Sequence, residues 1–292
     1  MRLAAITDEI SQDFEHALKV MYEYGVKGAE LRGLWNTNIA DLSPEQVKEA
    51  VRLIKQYDME VVGLATPFYK CDLRETENEF SGPMHLAPVR TRQKQMEMLE
   101  RCINLAHIFE TRLLRVFSFW RKCALTPDVE AEIVEAFEAP VAIAERENLI
   151  LILENEHACM IGSGSETKQF MSHIHSSHLR VCWDPGNAFA LGEKAFPDGY
   201  DAVKEYIAHV HVKDARRVIG PSGGYEAAWT VIGEGEVDYA SQFAALKSDH
   251  YNGWISLETH FKPEHGSGAD GKGTAEDGSR ACLTALLKML AN

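Results

Sequence analysis

The stretch His209-Val210-His211-Val212-Lys213 decides how this chain is expected to fold. Side chains two positions apart in a β-strand share a face, so the valines lie on one side and the three polar residues on the other. Such a strand suits a closed parallel barrel, in which the valines pack against helices and the polar side chains point inward. We interpret His209 as a hydrogen-bonded interior histidine and His211 as a metal ligand, because neighbouring strands supply further ligands.

Three other apolar, strand-like stretches also stop at a side chain that can bind a metal ion. LILILE ends at Glu154, VCWD at Asp184 and ISLE at Glu258. Glu154 and Asp184 are 30 residues apart, and Asp184 and His211 are 27 apart, which is about one strand-loop-helix-loop unit of a parallel α/β fold. Successive ligands are therefore expected on successive strands. Two glutamates, one aspartate and one histidine would form a mostly oxygen-donor site for one divalent cation.

The same alternation of short apolar runs and amphipathic segments extends along the whole chain. It predicts an α/β fold with a parallel sheet and crossover helices. With 292 residues, 45% of them hydrophobic, we expect a single (β/α)8 TIM barrel domain over residues 1–292. The eight predicted strands are Leu3–Thr7, Gly28–Leu31, Glu60–Ala65, Leu113–Phe117, Leu149–Glu154, Leu179–Asp184, Ala208–Lys213 and Trp254–Glu258. Helices are predicted over Asp13–Tyr24, Pro44–Tyr57, Pro88–Phe109, Pro127–Glu147, Glu166–His175, Tyr239–Lys247 and Asp277–Leu290, with first-turn prolines at Pro44 and Pro127.

Composition excludes several classes of protein. A formal charge of −14 without a lysine- or arginine-rich run argues against a nucleic-acid partner, because the field repels phosphate backbones. The six cysteines form no CxxC pair and the opening residues MRLAAITDEIS lack the apolar core of a signal peptide, which predicts a reducing, cytoplasmic setting. No stretch approaches the roughly 18 consecutive apolar residues that span a bilayer, so we expect no membrane partner.

Two glycine-rich segments interrupt the regular pattern, at 216–237 and 262–278. Both follow strands that carry proposed ligands, and loops at the carboxyl ends of barrel strands build the active site in this architecture. We predict that they enclose a substrate; ordinary surface loops are the alternative.

The proposed ligands also have structural alternatives. A buried, unpaired carboxylate is costly, so Glu154 and Glu258 each need a cation or hydrogen-bond donors. A salt bridge to an interior basic residue, such as Lys213 or Arg115, is the alternative to a metal ion for either glutamate. Asp184 opens the sequence Asp-Pro-Gly-Asn, where it would also suit the end of a strand before a turn.

Seven segments together resemble the xylose isomerase-like TIM barrel family, described as sugar phosphate isomerases/epimerases. They are ITDEISQDFEHAL at 6–18, GAELR at 28–32, LENEH at 153–157, WDPGNAF at 183–189, HVHVKDA at 209–215, GEGEVDY at 233–239 and GWISLETH at 253–260. The resemblance covers essentially the whole chain, and its specificity comes from the order and spacing of these segments.

The resemblance implies a divalent metal held by Glu154, Asp184, His211 and Glu258, the four positions already reached from the residues. Mn²⁺ is the expected ion, with Mg²⁺, Co²⁺ and Zn²⁺ as alternatives. Some epimerases of the family carry a histidine shortly after the aspartate, where this chain has Asn187. Relatives often assemble as dimers or tetramers, so a homo-oligomer is expected.

The activity that the resemblance implies is isomerisation or epimerisation of a sugar, keto-sugar or sugar phosphate. The metal would stabilise the negative charge on oxygen when a neighbouring C–H is deprotonated, giving an enediolate, and Glu154 and Glu258 would remove and return the proton. Substrate contacts are expected from polar residues at or beyond the strand ends and from aromatic residues that could face a sugar ring: Lys213, Arg217, His157, Asn187, Glu30, Trp35, Trp120 and Phe68. Alternatives are pairing of Glu30 with Arg32, a solvent-facing Arg217, and a core position for each aromatic residue.

Three other functions compete with this hypothesis. A lyase or dehydratase acting on a keto-sugar or polyol would begin with the same metal and base. A phosphodiesterase like the apurinic-site endonucleases would need further metal-binding histidines, for which His85 and His107 are candidates, and the negative charge argues against it. A non-catalytic sugar-binding protein is the third.

Overall fold

Parallel strands close into a barrel at the centre of the computed structural model, which describes residues 1–74, 84–221 and 223–291. In chain order the strands of the described residues are β1 Arg2–Ile6, β2 Gly28–Leu31, β3 Gly33–Leu34, β4 Thr37–Asn38, β5 Glu60–Phe68, β6 Leu113–Val116, β7 Ile150–Glu154, β8 Leu179–Trp183, β9 Ile207–Val212, β10 Asp214–Ile219, β11 Tyr225–Thr230 and β12 Trp254–Leu257. Eight of them form the barrel, in the order β1-β12-β9-β8-β7-β6-β5-β2, closing on itself. The prediction of an eight-stranded α/β barrel is therefore confirmed, and each barrel strand lies where the sequence pattern predicts it.

Helices connect the barrel strands. They are α1 Phe14–Glu23, α2 Pro44–Gln56, α3 Arg92–Ile108, α4 Pro127–Arg146, α5 Gly164–Met171, α6 Pro185–Ala190, α7 Tyr200–Val203, α8 Tyr239–Ser248 and α9 Ala275–Leu290. The predicted first-turn prolines of α2 and α4 are confirmed, each directly after a side chain that caps the helix, Ser43 or Thr126. No helix of the described residues is long and apolar enough to cross a membrane.

The segment 216–237 is not the irregular loop that its glycines suggested. Most of it belongs to an antiparallel hairpin of β10 and β11, paired from Asp214 opposite Thr230 to Ile219 opposite Tyr225. The buried Asp214 carboxylate fixes the segment that follows β11 by accepting hydrogen bonds from the backbone N–H groups of Gly233, Gly235 and Val237 at 2.8–3.2 Å. A Cβ atom at Gly235 would collide with that carboxylate, so only glycine fits there.

Parallel strands point all their carboxyl ends toward one end of the barrel. β7 ends at Glu154, and Asp184, Lys213 and Glu258 directly follow β8, β9 and β12. Strand direction and chain order thus bring these four side chains to the same end.

Candidate metal centre

Four side chains meet at the carboxyl end of the barrel with their ligand atoms within 4.8 Å of one another: Glu154, Asp184, His211 and Glu258, all of them buried. His211 Nδ1 lies 3.7 Å from Glu154 Oε1, 4.0 Å from Asp184 Oδ2 and 3.7 Å from Glu258 Oε2. One nitrogen therefore faces an oxygen of each of three carboxylates. Hard oxygen ligands with one imidazole suit a divalent ion such as Mn²⁺ or Mg²⁺.

Unpartnered polar atoms provide the test of whether a cation fits. Among the described residues, Glu154 Oε2, Asp184 Oδ2 and His211 Nδ1 are buried without a hydrogen-bond partner. Leaving such atoms unsatisfied is costly, and metal coordination would satisfy Asp184 Oδ2 and His211 Nδ1, which lie 4.0 Å apart; Glu154 faces His211 with its other oxygen, Oε1. The salt-bridge alternative is present as well, since Arg115 Nη1 lies 3.0 Å from Glu154 Oε2 and Lys213 Nζ lies 2.9 Å from Asp184 Oδ2, though neither contact has hydrogen-bond geometry.

Charge balance also favours a bound cation. Around the centre, seven largely buried carboxylates face four buried basic side chains, which leaves three negative charges when the histidines are counted as neutral; one divalent cation would reduce this excess to one. The carboxylates belong to Asp8, Glu9, Glu30, Glu154, Glu156, Asp184 and Glu258, and the basic side chains to Arg32, Lys70, Arg115 and Lys213.

Asp184 has two roles that its two oxygens keep apart. Oδ1 accepts a hydrogen bond from the backbone N–H of Asn187 at 2.9 Å and so caps α6, as the turn alternative anticipated. Oδ2 points to the metal centre. Burial and the nearby carboxylates of Glu258 and Glu154 raise the pKa of Asp184, despite the opposing charge of Lys213. The carboxylates are thus crowded together at a cost that a cation would offset.

Glu30 orients the histidine of the centre. Its carboxylate lies 2.8 Å from His209 Nε2 and 3.1 Å from His211 Nε2, which leaves His211 Nδ1 to face the other carboxylates. A carboxylate behind a histidine ligand fixes the ring and its tautomer. Glu30 therefore supports His211, whereas the sequence suggested a substrate contact or a pair with Arg32. His209 is the hydrogen-bonded interior histidine that we expected.

Arg32 joins a buried cluster that the sequence did not reveal. Its guanidinium lies 3.0 Å from Asp8, 2.5 Å from Glu9 and 3.0 Å from Glu258 Oε1. Lys213 Nζ occupies the other side of Glu258, 2.7 Å from Oε2. Burial by itself would raise the pKa of Glu258, but Lys213 and His260 outweigh it and hold that pKa well below its ordinary value.

A second chain of contacts leads away from Glu154. Asn187 Nδ2 donates to Glu154 Oε1 at 3.1 Å, and Asn187 Oδ1 accepts from His157 Nδ1 at 2.9 Å. His157 Nδ1 also lies 2.8 Å from Glu156 Oε1, and Lys70 Nζ lies 3.4 Å from the other Glu156 oxygen. Asn187, expected as a substrate contact, is fully buried behind Glu154, whereas the His157 side chain is 40% exposed.

Among the remaining predicted substrate contacts, Lys213 lies at the centre and the others do not. Phe68 is fully buried and stacks on Tyr69 with ring centroids 4.0 Å apart, and Trp120 is 3% exposed and packs with Phe117 and Cys159. Both are core residues, which is the alternative to a substrate contact that the sequence left open for each aromatic residue. Trp35 packs edge-on against a core phenylalanine. Arg217 is exposed on β10, its guanidinium 5.1 Å from the ring centroid of Phe189.

The histidines proposed for a multi-metal phosphodiesterase do not join the centre. His107 lies at the end of α3, half exposed and 3.7 Å from Glu147. His85 packs edge-on against His260 with ring centroids 5.9 Å apart. Within the described part of the chain, neither belongs to a cluster that could hold a metal ion.

This protein is an eight-stranded α/β barrel with acidic and histidine side chains gathered at the carboxyl ends of its strands, where barrels of this class carry their sites. The family model of the xylose isomerase-like TIM barrel matches residues 18–283, and the chain belongs to this family.

Named relatives agree with that assignment. An inosose dehydratase from Clostridium perfringens is 22% identical over 269 residues, which cover 86% of this chain and 83% of that protein. The structure of a xylose isomerase-like TIM barrel protein from Mycobacterium smegmatis in complex with magnesium superposes with a TM-score of 0.70 at 16% identity, covering 99% of this chain and 97% of that one. D-allulose 3-epimerase from Methylomonas sp. in complex with D-allulose gives a TM-score of 0.71 at 17% identity, covering 100% and 96%.

Proposed function

We propose that this protein is a divalent-metal-dependent enzyme that removes a proton from the carbon next to a carbonyl group of a sugar or sugar-like polyol. The observation that carries the proposal is the convergence of three carboxylates on His211 Nδ1, with unpartnered buried atoms on Glu154, Asp184 and His211. Relatives named for inosose and for D-allulose support a carbonyl-bearing polyol as the substrate class.

Glu154, Asp184, His211 and Glu258 would hold the cation. We propose Mn²⁺ or Mg²⁺, on the ground of the oxygen-rich ligand set and of the relative that binds magnesium; Co²⁺ and Zn²⁺ suit the imidazole as well. When bound, such an ion supplies Lewis-acid stabilisation of negative charge on the substrate oxygen.

Glu154 is the better base of the two glutamates. Its Oε2 lies 3.0 Å from Arg115 Nη1 without hydrogen-bond geometry, whereas Glu258 accepts hydrogen bonds from Arg32 at one oxygen and from Lys213 at the other. Burial alone would raise the pKa of Glu154, and Arg115 and His211 lower it, but less strongly than the pKa of Glu258 is lowered. A carboxylate with both oxygens engaged gives up basicity, and the pKa of Glu258 is accordingly held well below its ordinary value by Lys213 and His260 against the effect of burial. We therefore assign proton removal to Glu154.

Two outcomes can follow proton removal, and one observation favours dehydration. Glu156 Oε1 and Asn187 Oδ1 both accept from His157 Nδ1, so Nδ1 carries a proton and Nε2 is the ring nitrogen left for a substrate. Burial alone would lower the pKa of His157, but the hydrogen bond and charge of Glu156 raise it above its ordinary value. His157 is thus a general acid for a leaving hydroxyl: Glu154 takes the C–H proton, the C–O bond breaks with a proton from Nε2–H, and water and a C=C bond next to the carbonyl result.

Isomerisation or epimerisation is the second candidate. It requires only that Glu258, or Glu154 itself, return the proton to carbon, and the pair of glutamates supports it. The likeness to D-allulose 3-epimerase agrees with this outcome.

Solvent exchange separates the two outcomes. The Mn²⁺-loaded protein is incubated in deuterated water with 2-keto-myo-inositol, an inosose, and with D-allulose, and the products are followed by NMR and by the ultraviolet absorbance of a conjugated ketone. Deuterium incorporation with loss of water supports dehydration, and incorporation without it supports epimerisation. The proposed function fails if neither compound exchanges a C–H proton.

The variant His157→Asn tests the acid. We expect it to retain exchange at carbon and to lose most of the dehydration rate. His173→Asn is the matched control, because His173 is half exposed and faces Glu130 rather than the centre. If His157→Asn dehydrates the substrate at the wild-type rate, His157 is not the general acid, while the assignment of Glu154 as the base is unaffected.

A further inference from the structure

The indole of Trp229 lies beside the metal centre. Trp229 is on β11 and pairs with Ala215 of β10, the strand that begins just after Lys213. The Lys213 ammonium lies 5.3 Å from the indole centroid, while the same nitrogen is 2.9 Å from Asp184 and 2.7 Å from Glu258. The hairpin thereby holds a large apolar face beside a lysine that contacts two of the proposed ligands.

Polar rings flank this apolar face. The centroids of His260 and His157 lie 5.6 and 6.5 Å from that of Trp229, with the rings inclined at 49° and 54°. His260 Nε2 lies 3.3 Å from Glu258 Oε1 without hydrogen-bond geometry, and His157 Nε2 is left for a ligand. Trp229 itself is only partly buried. An accessible aromatic face with hydrogen-bonding groups around it suits a molecule that has a C–H face and several hydroxyl groups.

The charges near this face do not suit a phosphate. The four buried cations, Arg32, Lys70, Arg115 and Lys213, each contact carboxylates already, and the carboxylates outnumber them. Arg217, the exposed basic residue of the hairpin, lies over Phe189. A dianionic group would therefore have to compete with carboxylates for each of these four cations.

We propose that the site takes an uncharged polyol ketone whose C–H face packs on the indole of Trp229, which makes Trp229 a specificity-determining residue. This inference rests on the proposed function and names its substrate class. An aromatic contact of this kind accounts for a modest share of affinity, and its loss is expected to weaken binding about tenfold.

The test uses polyols that carry no carbonyl and cannot react. Binding of myo-inositol and xylitol to the Mn²⁺-loaded protein is measured from the broadening of their proton resonances by bound Mn²⁺, with myo-inositol 1-phosphate as the charged counterpart. Mn²⁺ affinity is titrated separately in each variant. We expect Trp229→Ala to weaken polyol binding about tenfold and Trp229→Phe to weaken it less than threefold, with Mn²⁺ affinity unchanged within twofold. Tyr225→Ala is the matched control, since Tyr225 is on the same strand and 78% exposed.

Failure of the inference and failure of the proposed function give different results. If the wild type binds the uncharged polyols but Trp229→Ala binds them equally well, or if the phosphate binds more tightly than myo-inositol, the inference is overturned while the proposed function stands. If the wild type binds none of Mn²⁺, Mg²⁺, Co²⁺ and Zn²⁺, or binds Mn²⁺ but no polyol, the proposed function fails and the inference fails with it.

Discussion

Removing the divalent cation should lower the thermal stability of the protein, because the carboxylates crowded at the metal centre then outnumber the basic side chains that face them. Seven carboxylates face four basic side chains in a buried cluster, which leaves three negative charges before any histidine is protonated. A ligand that binds only the folded state stabilises it by mass action, so the effect depends on the metal concentration relative to its dissociation constant.

The expected change in Tm follows from the free energy of metal binding and from the entropy of unfolding, which scales with the length of the chain. At a metal concentration one hundred times the dissociation constant the stabilisation is about 2.7 kcal/mol. The entropy of unfolding is about 2.1 cal/mol/K per residue, which for 292 residues is roughly 0.6 kcal/mol/K. The expected rise in Tm is therefore about 4 °C, and it should grow logarithmically as more metal is added.

Scanning calorimetry in Mn²⁺ and in EDTA measures this shift. Asp184→Asn should remove the response to metal and leave the metal-free protein at least as stable as the metal-free wild type, because burial and its carboxylate neighbours raise the pKa of Asp184 and so disfavour its ionised form. Asp270→Asn, an exposed position, is the matched control and should respond as the wild type does. Equal Tm values with EDTA and with each of Mn²⁺, Mg²⁺, Co²⁺ and Zn²⁺ would refute the assignment of the centre.

Three further predictions concern single residues. Glu154→Gln should slow C–H exchange by about a thousandfold while circular dichroism reports a folded protein, since the amide keeps the hydrogen bond to Asn187 but cannot accept the proton; exchange at the wild-type rate would assign the base elsewhere. Glu30→Gln should weaken Mn²⁺ binding by about 10–100-fold in a calorimetric titration, because His211 loses its negative partner, and an unchanged dissociation constant would make Glu30 a packing residue only. Because Glu156 raises the pKa of His157 against the opposing effect of burial, His157 stays protonated to a pH above the ordinary histidine value of about 6.5; the dehydration rate should therefore fall as pH rises through that raised pKa, and His157→Asn should lack this descending limb in a pH-rate profile.

Much of the barrel could be predicted from the sequence because its strands are short apolar runs that recur at the length of one β/α unit. The chain order and the shared direction of parallel strands then determine that residues just after the strands, such as Asp184 and Glu258, lie at one end. The hairpin of β10 and β11 could not be predicted in the same way. Its two strands pair with each other outside the barrel, and β10 is mostly exposed on both faces, so the segment lacks the alternation of a half-buried strand.

The sequence by itself determined on or next to which strand each proposed ligand lies, because period-two alternation and spacing are local properties of the chain. The tertiary structure alone decided which charged groups meet. Glu30 contacts His211 across 181 positions and Arg32 contacts Glu258 across 226, because closure of the barrel places β2 near β12 and β9. These contacts depend on the distances between strands that are far apart in the sequence, which the sequence pattern does not give. In addition, more than one hydrogen-bond donor is available to each buried carboxylate, so the sequence does not show which donor it contacts. The position of Trp229 beside the centre is also decided by the tertiary structure. Trp229 lies on the β10–β11 hairpin, and Asp214 holds the chain that follows this hairpin through hydrogen bonds from the backbone N–H groups of Gly233, Gly235 and Val237.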